Sequence, residues 1–401
     1  MNRVVVTGLG PVSSIGIGVS AFTDGLREGR SGISPIRSFD ASGFPHRNAG
    51  EVPGFRPEAL LDRIDVACWG RSAQFAAAAA RLALADSGLD PAAVAPERAG
   101  VVVGTTSGES VVVEAVTAQQ VESGFGGMDP DLLRQVPAGR LAHAVSTELD
   151  LAGESLTLAT ACSASNYAIG YAYDMLATGE AEVMFAGGAD SVCRWAHAGF
   201  YRLGALTADA CSPFDRDRSG ILTGEGGAIL MLETLDHARA RGARVYAEVL
   251  GYGVNCDANH PVAPDRGSIA ACMRAAHRNA SVKPADVDYI CAHGTGTPAN
   301  DSVEAQAIFD VFGDRVPPVS SIKSMMGHTM GAASGFGAIA GTLAIAHGFL
   351  PPTINWANPD PALSGLDPVP NTARQARVRV VQNNGFAFGG NNAIVLIGAV
   401  E

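Results

Sequence analysis

Short unbroken apolar runs alternate along the chain with longer segments of helical spacing. Val4-Val5-Val6, Val101-Val102-Val103, the stretch from Leu151 to Ala161, Val183-Met184-Phe185-Ala186, Ala228 to Leu232, Val245 to Gly251, Val287 to Ala292 and Ala393 to Ile397 read as strands buried on both faces. Helices are predicted over the alanine-rich Arg71–Ser87, over the segment carrying Tyr167, Ile169, Tyr171, Met175 and Leu176, and over Asp236–Arg241, Ser268–Ala280, Val303–Phe312 and Ala332–His347. Gly, Pro and Ser make Ser31–Leu60 and Cys211–Gly227 mostly loop, and Gly124–Pro137 an irregular excursion over a pocket. Alternating strands and helices predict an α/β protein with mostly parallel sheets. Helices apolar on several sides predict a sandwich in which some helices lie between two sheets.

The chain has 401 residues, too many for one ordinary core. A second round of strand and helix begins near Val245, which divides the chain into halves 1–240 and 241–401; no tandem repeat is visible in the letters. Hydrophobic residues make up 47% and charged residues 17%, with 48 Gly, and this low charged fraction predicts a large buried interface with another subunit. The net charge of −12 argues against nucleic acid and against an anionic membrane surface as partners. Met1 leads straight into a strand-like run without a signal peptide's apolar core, and no uninterrupted apolar stretch looks long enough to span a bilayer, so a soluble, cytoplasmic protein is expected. The 7 cysteines are scattered without a CxxC pair, which fits neither a disulfide framework nor a zinc site. Val4 to Pro11 reads as a strand entering a glycine turn, but Ser13 stands where a dinucleotide fingerprint needs its third glycine.

Candidate chemistry sits where apolar runs end in small residues. Cys162 lies between Ala161 and Ser163-Ala164-Ser165, after a predicted strand and before a predicted helix. A helix N-terminus directs free N–H groups and a positive dipole end at such a thiol, which favours the thiolate nucleophile. The alternative is a small buried core cysteine. His293 ends a predicted strand in His293-Gly294-Thr295-Gly296-Thr297, with Asp301 and Glu304 placed to cap the next helix and anchor the loop. Lys323 and His328 share the loop Lys323-Ser324-Met325-Met326-Gly327-His328. Phe386-Ala387-Phe388-Gly389-Gly390 is a turn able to expose backbone N–H groups to an oxyanion. The remaining histidines read as structural, and no third ligand has a spacing that would make a metal site of His293 and His328.

These four motifs, in this order, resemble the signatures of β-ketoacyl-acyl-carrier-protein synthases; Val4 to Gly10 and Pro351-Pro352-Thr353-Ile354-Asn355 are also similar to the elongating type II enzymes. The resemblance covers essentially the whole chain. It implies a thiolase-type five-layered αβαβα sandwich of two similar halves, with Cys162 as nucleophile and His293 and His328 as its catalytic partners. It implies an oxyanion hole from the amides of Cys162 and Phe388, with Phe388 also gating the acyl pocket. Lys323, Asp301, Glu304, Thr295 and Thr297 would support the histidines and order water. The implied reaction is decarboxylative condensation of an acyl chain held on Cys162 with malonyl-acyl-carrier protein, in fatty-acid or type II polyketide or polyene synthesis. No resident cofactor or metal is implied, because phosphopantetheine arrives on the carrier. The implied partners are the acyl carrier protein and a second subunit, either another copy or a homologous chain-length factor, joined along a strand near Ser155–Thr160.

Three positions depart from the family pattern. Asn391 replaces the usual Thr after the last Phe-Gly-Gly, Gly337 stands where a Glu is expected near Lys323, and Asp62 to Arg71 lacks the usual basic cluster. Two other functions compete with condensation. A non-catalytic chain-length factor typically loses the nucleophile, whereas Cys162, His293 and His328 are all kept here. A coenzyme A-dependent thiolase pairs its nucleophile with a second cysteine, and none stands in the His328 or Phe388 motifs.

Overall fold

In a computed structural model describing residues 1–400, ten strands form two five-stranded halves. The first contains β1 (Val4–Ser13), β2 (Ala99–Gly104), β3 (Ser155–Leu158), β4 (Val183–Asp190) and β5 (Gly226–Thr234), in the order β3-β2-β4-β5-β1. The second contains β6 (Ala247–Cys256), β7 (Tyr289–Cys291), β8 (Val319–Ser320), β9 (Val380–Gly385) and β10 (Asn391–Gly398), in the order β8-β7-β9-β10-β6. The orders are the same when each half is counted from its own first strand, so the chain repeats a topology that its letters do not. The halves meet through a short antiparallel register, Val4 with Val249, Val5 with Glu248 and Val6 with Ala247.

The expectation of mostly parallel sheets is corrected. In each half the three strands farthest from the junction run parallel, β3-β2-β4 and β8-β7-β9, while every pairing from there to the junction is antiparallel. Apolar runs buried on both faces occur in either kind of sheet once helices cover both sides, so composition could not separate them.

Helices make the other three layers. α1 (Arg71–Ser87) and α2 (Arg140–Leu149) cover the outer face of the first half; α4 (Arg266–Asn279) and α5 (Pro298–Phe312) cover that of the second. Between the halves lie α3 (Ala164–Thr178) and α6 (Ala333–His347). Each packs on strands of its own half and on strands of the other, and the two touch. This is the five-layered thiolase-type sandwich. Residues Ala333 to Ala344 are buried on every side, as a helix between two sheets must be. By length and hydropathy Met330–His347 is apolar enough to cross a membrane, against the expectation that no stretch is; here 83% of it is buried inside the protein.

Polar bonds fix how the inner helices sit. Asn166 on α3 donates from Nδ2 to the carbonyls of Asn383 (3.1 Å) and Ala393 (2.9 Å). Asn383 on β9 donates back to Asn166 Oδ1 (2.7 Å) and to the Ser334 carbonyl (2.8 Å) on α6. Buried amides must be paired in this way, and each pairing specifies one arrangement of the layers.

Several boundaries differ from expectation. The strand leading to Cys162 spans only Ser155–Leu158, because Leu151–Glu154 forms the preceding turn. Helices over Val19–Glu28, Ser110–Ser123 and Arg194–Arg202 were not foreseen: the first is short and polar, and the β-branched start of the second hides its period. Strand β9 was hidden by its own polar Gln382-Asn383-Asn384. Gly8 and Gly10 lie in no turn, since the strand continues to Ser13. They let the backbone of β1 lie directly on α1: a Cβ on Gly10 would stand 1.8 Å from the Ala79 carbonyl oxygen, and one on Gly8 2.1 Å from that of Ala83. Gly10→Ala therefore forces β1 and α1 apart and is expected to cost about 1–3 kcal/mol, the range for overpacked cores. A thermal melt should show a clearly lower midpoint; an unchanged one would contradict this packing.

Candidate active site

Cys162 sits in a single 3₁₀ turn, Ala161–Ser163, that feeds directly into α3. Ala161 takes φ = 50°, a left-handed value that a residue with a Cβ adopts only when its surroundings impose it. Ser163 helps to impose it, donating from Oγ to the carbonyls of Thr160 (3.0 Å) and Asn391 (2.9 Å). Asn391, one of the departures from the family pattern, thus contributes here through its backbone. The backbone amides of Cys162 and Phe388, from different halves of the molecule, lie near enough to the Cys162 sulfur to favour its thiolate.

The thiol is buried, and this corrects the expectation of an acidic cysteine. Burial pushes its pKa up to about 12, outweighing the opposing pull of Lys323 and the two amides. The nearby Asp190 carboxylate adds to the rise. At rest Cys162 is therefore a neutral thiol.

His293 and His328 meet at the same cavity, their rings 5.5 Å apart and nearly perpendicular. Both are buried, and burial with the neighbouring Lys323 holds both well below 6.5, so they are neutral. His328 Nδ1 accepts from the Met330 amide at 3.0 Å. An acceptor at Nδ1 leaves the proton on Nε2, so His328 is a fixed hydrogen-bond donor through that atom.

Asp301, Glu304, Lys323, Thr295 and Thr297 lie around the two histidine motifs, and Thr297 rather than either carboxylate caps α5. Glu304 accepts from the amides of His293 (2.8 Å) and Gly294 (2.7 Å), and Asp301 from that of Thr295 (2.9 Å). Both carboxylates lie at the start of α5, and burial raises both pKa values. Lys323 is buried and donates to the His293 carbonyl at 2.5 Å. Burial lowers its pKa, and the surrounding thiols and Glu304 oppose that fall. Thr295 and Thr297, hydroxyls 2.9 Å apart, line the cavity.

Gly337 is explained by its neighbour. A Cβ there would lie 2.3 Å from Asn383 Oδ1, the amide that stitches the inner helices. The space for a larger side chain is taken, and Lys323 finds its partner in a backbone carbonyl instead. Sequence reasoning missed Asn384, which donates to Glu304 Oε1 (2.9 Å), and Ser321, which donates to the Gly294 carbonyl (2.6 Å). Both lie beside recognised motifs, but only the fold shows what they reach.

The cavity holds about 300 Å³. Cys162, His293, His328 and Phe386 line it together with Thr295 and Phe388. Phe388 is 36% exposed, its ring 5.8 Å from that of Phe200, in a turn where Gly389 and Gly390 take φ = 83° and 80°. Only glycine adopts such angles freely, so the turn lets the Phe388 ring line the cavity while staying partly exposed.

A buried thiol sharing one cavity with two neutral histidines, in a thiolase-type sandwich, defines an acyl-transferring enzyme. The chain belongs to the β-ketoacyl synthase family: residues 1–238 match its N-terminal domain and residues 246–357 its C-terminal domain. It is 39% identical over 410 residues to 3-oxoacyl-[acyl-carrier-protein] synthase 2 of Coxiella burnetii, with 100% of this chain and 99% of that protein covered. It is 38% identical over 400 residues to nodulation protein E of Rhizobium meliloti, with 98% of each covered. Among solved structures, a chain of the ishigamide ketosynthase/chain length factor is 50% identical, with a TM-score of 0.98 and 100% of both chains covered. A chain from a type II polyketide acyl-carrier protein in complex with its ketosynthase is 30% identical, with a TM-score of 0.92 and 100% of both covered.

Proposed function

We propose that this chain is the nucleophile-bearing ketosynthase of a type II pathway, joining an acyl chain to malonyl-acyl-carrier protein with loss of carbon dioxide. One observation carries the reading: Cys162, His293, His328 and Phe388 line one cavity, in which His328 offers a fixed N–H donor.

In the first half-reaction the Cys162 sulfur attacks the carrier-bound thioester. A C–S bond forms to the enzyme, the carrier's C–S bond breaks, and the thiol proton ends on the departing carrier. The oxyanion formed meanwhile rests on the amides of Cys162 and Phe388. In the second, malonyl-carrier places its thioester carbonyl between His293 and His328. Carbon dioxide leaves, its bonding pair passes into an enolate, and the two neutral histidines stabilise the oxygen by hydrogen bonds without taking up a proton beforehand. The enolate carbon attacks the acyl-Cys162 thioester. A C–C bond forms and the Cys162 thiolate departs and is reprotonated. No resident cofactor takes part; the phosphopantetheine arm comes on the carrier. Phe388 acts as the gate, its ring at the opening.

The proposed partners are an acyl carrier protein, met in the cytoplasm without nucleic acid or membrane, and a second subunit. Strand β3 is paired on one side only and its residues are partly exposed, which leaves an edge open to another strand. The large exposed apolar residues Val113, Val121, Phe125, Leu133 and Trp195 belong to segments that follow β2 and β4. The likeness to the ishigamide ketosynthase/chain length factor favours a homologous partner lacking the nucleophile over a second copy. Sizing of the chain expressed alone and with such a partner tests this. A mixed dimer that elongates is expected, and a stable homodimer that elongates unaided contradicts it.

His293→Ala and His328→Ala should lower malonyl-carrier decarboxylation by about a hundredfold or more, as loss of a donor to a developing oxyanion does, while acylation of Cys162 falls far less. Equal loss of both half-reactions would refute the assignment. In NMR titrations the ring signals of His293 and His328 should stay level as pH falls from about 8 to about 6, because burial holds both well below the usual histidine pKa of about 6.5. An inflection near 6.5 would show a titrating histidine instead.

A further inference from the structure

The duplicated topology repeats the nucleophile's turn. Thr160-Ala161-Cys162-Ser163 leads into α3, and Thr329-Met330-Gly331-Ala332 leads into α6. The dihedral angles correspond: φ is −107° at Thr160 and −85° at Thr329, 50° at Ala161 and 51° at Met330, −93° at Ser163 and −78° at Ala332. Gly331 is thus the counterpart of Cys162. No side chain fits there, since a Cβ would stand 2.5 Å from Thr105 Cα and 2.7 Å from Asp190 Oδ2.

What fills that place is a carboxylate from the other half. Asp190, the last residue of β4 and only 2% exposed, accepts from the Gly331 amide at 2.6 Å. It also accepts from Thr105 Oγ1 (2.7 Å) and from the amides of Thr106 (2.7 Å) and Ser107 (3.3 Å). All four partners are donors, which suits an acceptor-only carboxylate; burial raises its pKa to about 6 against their pull, so it is ionised above that pH. Met330, held at a left-handed φ one residue before this anchor, supplies the amide that fixes the His328 tautomer.

We propose that Asp190 is a positioning residue: its carboxylate clamps the Gly331 amide, holds the Met330 turn, and so keeps His328 Nε2–H aimed as a donor. This rests on the condensing role given above to His328. The clamp has a cost elsewhere, because the same negative charge disfavours the Cys162 thiolate. The two effects have opposite signs on the two halves of the site.

Asp190→Asn keeps the shape but sets an NH₂ against N–H donors. In this variant malonyl-carrier decarboxylation should fall by about tenfold, the loss expected when one charged hydrogen bond is broken. Alkylation of Cys162 by iodoacetamide at about pH 8, where the thiolate is the reactive form, should be unchanged or faster. A merely structural residue would slow both together, and that result, or decarboxylation left unchanged, overturns the clamp. Thr105→Val removes one donor and leaves the charge, so it should give a smaller fall in decarboxylation with alkylation unaltered. Should the Asn variant not fold, full decarboxylation by the Val variant would refute the proposal. Wild-type enzyme that does not decarboxylate malonyl-carrier at all would instead sink the condensing reading, and the clamp with it.

Discussion

Two left-handed residues, Ala161 and Met330, each force the chain from the end of one segment into an inner helix, and the site depends on both being held. Neither residue favours that conformation, so each turn persists through the bonds around it. Ser163 reaches across to the Asn391 carbonyl, and Asp190 reaches across to the Gly331 amide. Each half of the molecule supplies the fastening for the other half's turn. The Asn166–Asn383 pair then keeps the inner helices in register, so the turns face a common cavity. Separating the halves would dissolve the site even if each half kept its fold.

Burial sets the electrostatic character of what the turns present. It raises the thiol of Cys162 and lowers both histidines and Lys323, so three of the groups that would touch substrate are neutral at rest. Charge appears only as reaction proceeds: first on the oxygen of the attacked thioester, then on an enolate oxygen. Fixed N–H dipoles are available for both, from the Cys162 and Phe388 amides and from His328. A site that excludes water and offers oriented donors stabilises such transient anions without reorganising. The buried carboxylates Asp190, Asp301 and Glu304 are spent on holding backbone amides in place.

The residues that face the cavity were largely readable as letters, because chemistry there needs small neighbours and abrupt element ends. Cys162, His293, His328 and Phe388 each have Gly, Ala, Ser or Thr on both sides, and Lys323 shares the loop of His328. The residues that hold them were not readable. Asn383 and Asn384 sit in a central strand whose polar sequence argues against a strand, and their partners lie far away in the chain. Asp190 closes an ordinary buried strand, and its significance depends on Gly331, 141 residues away. Gly8 and Gly10 were misread as a turn because close backbone packing and positive φ leave the same letter. The direction of strand pairing was equally invisible, since two-sided burial gives parallel and antiparallel strands the same composition.

The central claim is that Cys162 carries the acyl chain while the histidines handle the malonyl unit. Intact-mass analysis of the enzyme, with its subunit partner, after incubation with an acyl-carrier protein tests it most directly. The chain should gain the mass of one acyl group, located on the peptide containing Cys162, and adding malonyl-carrier should discharge it as a 3-ketoacyl-carrier product. An acyl group found on another residue, or one on Cys162 that malonyl-carrier leaves in place, would contradict the account.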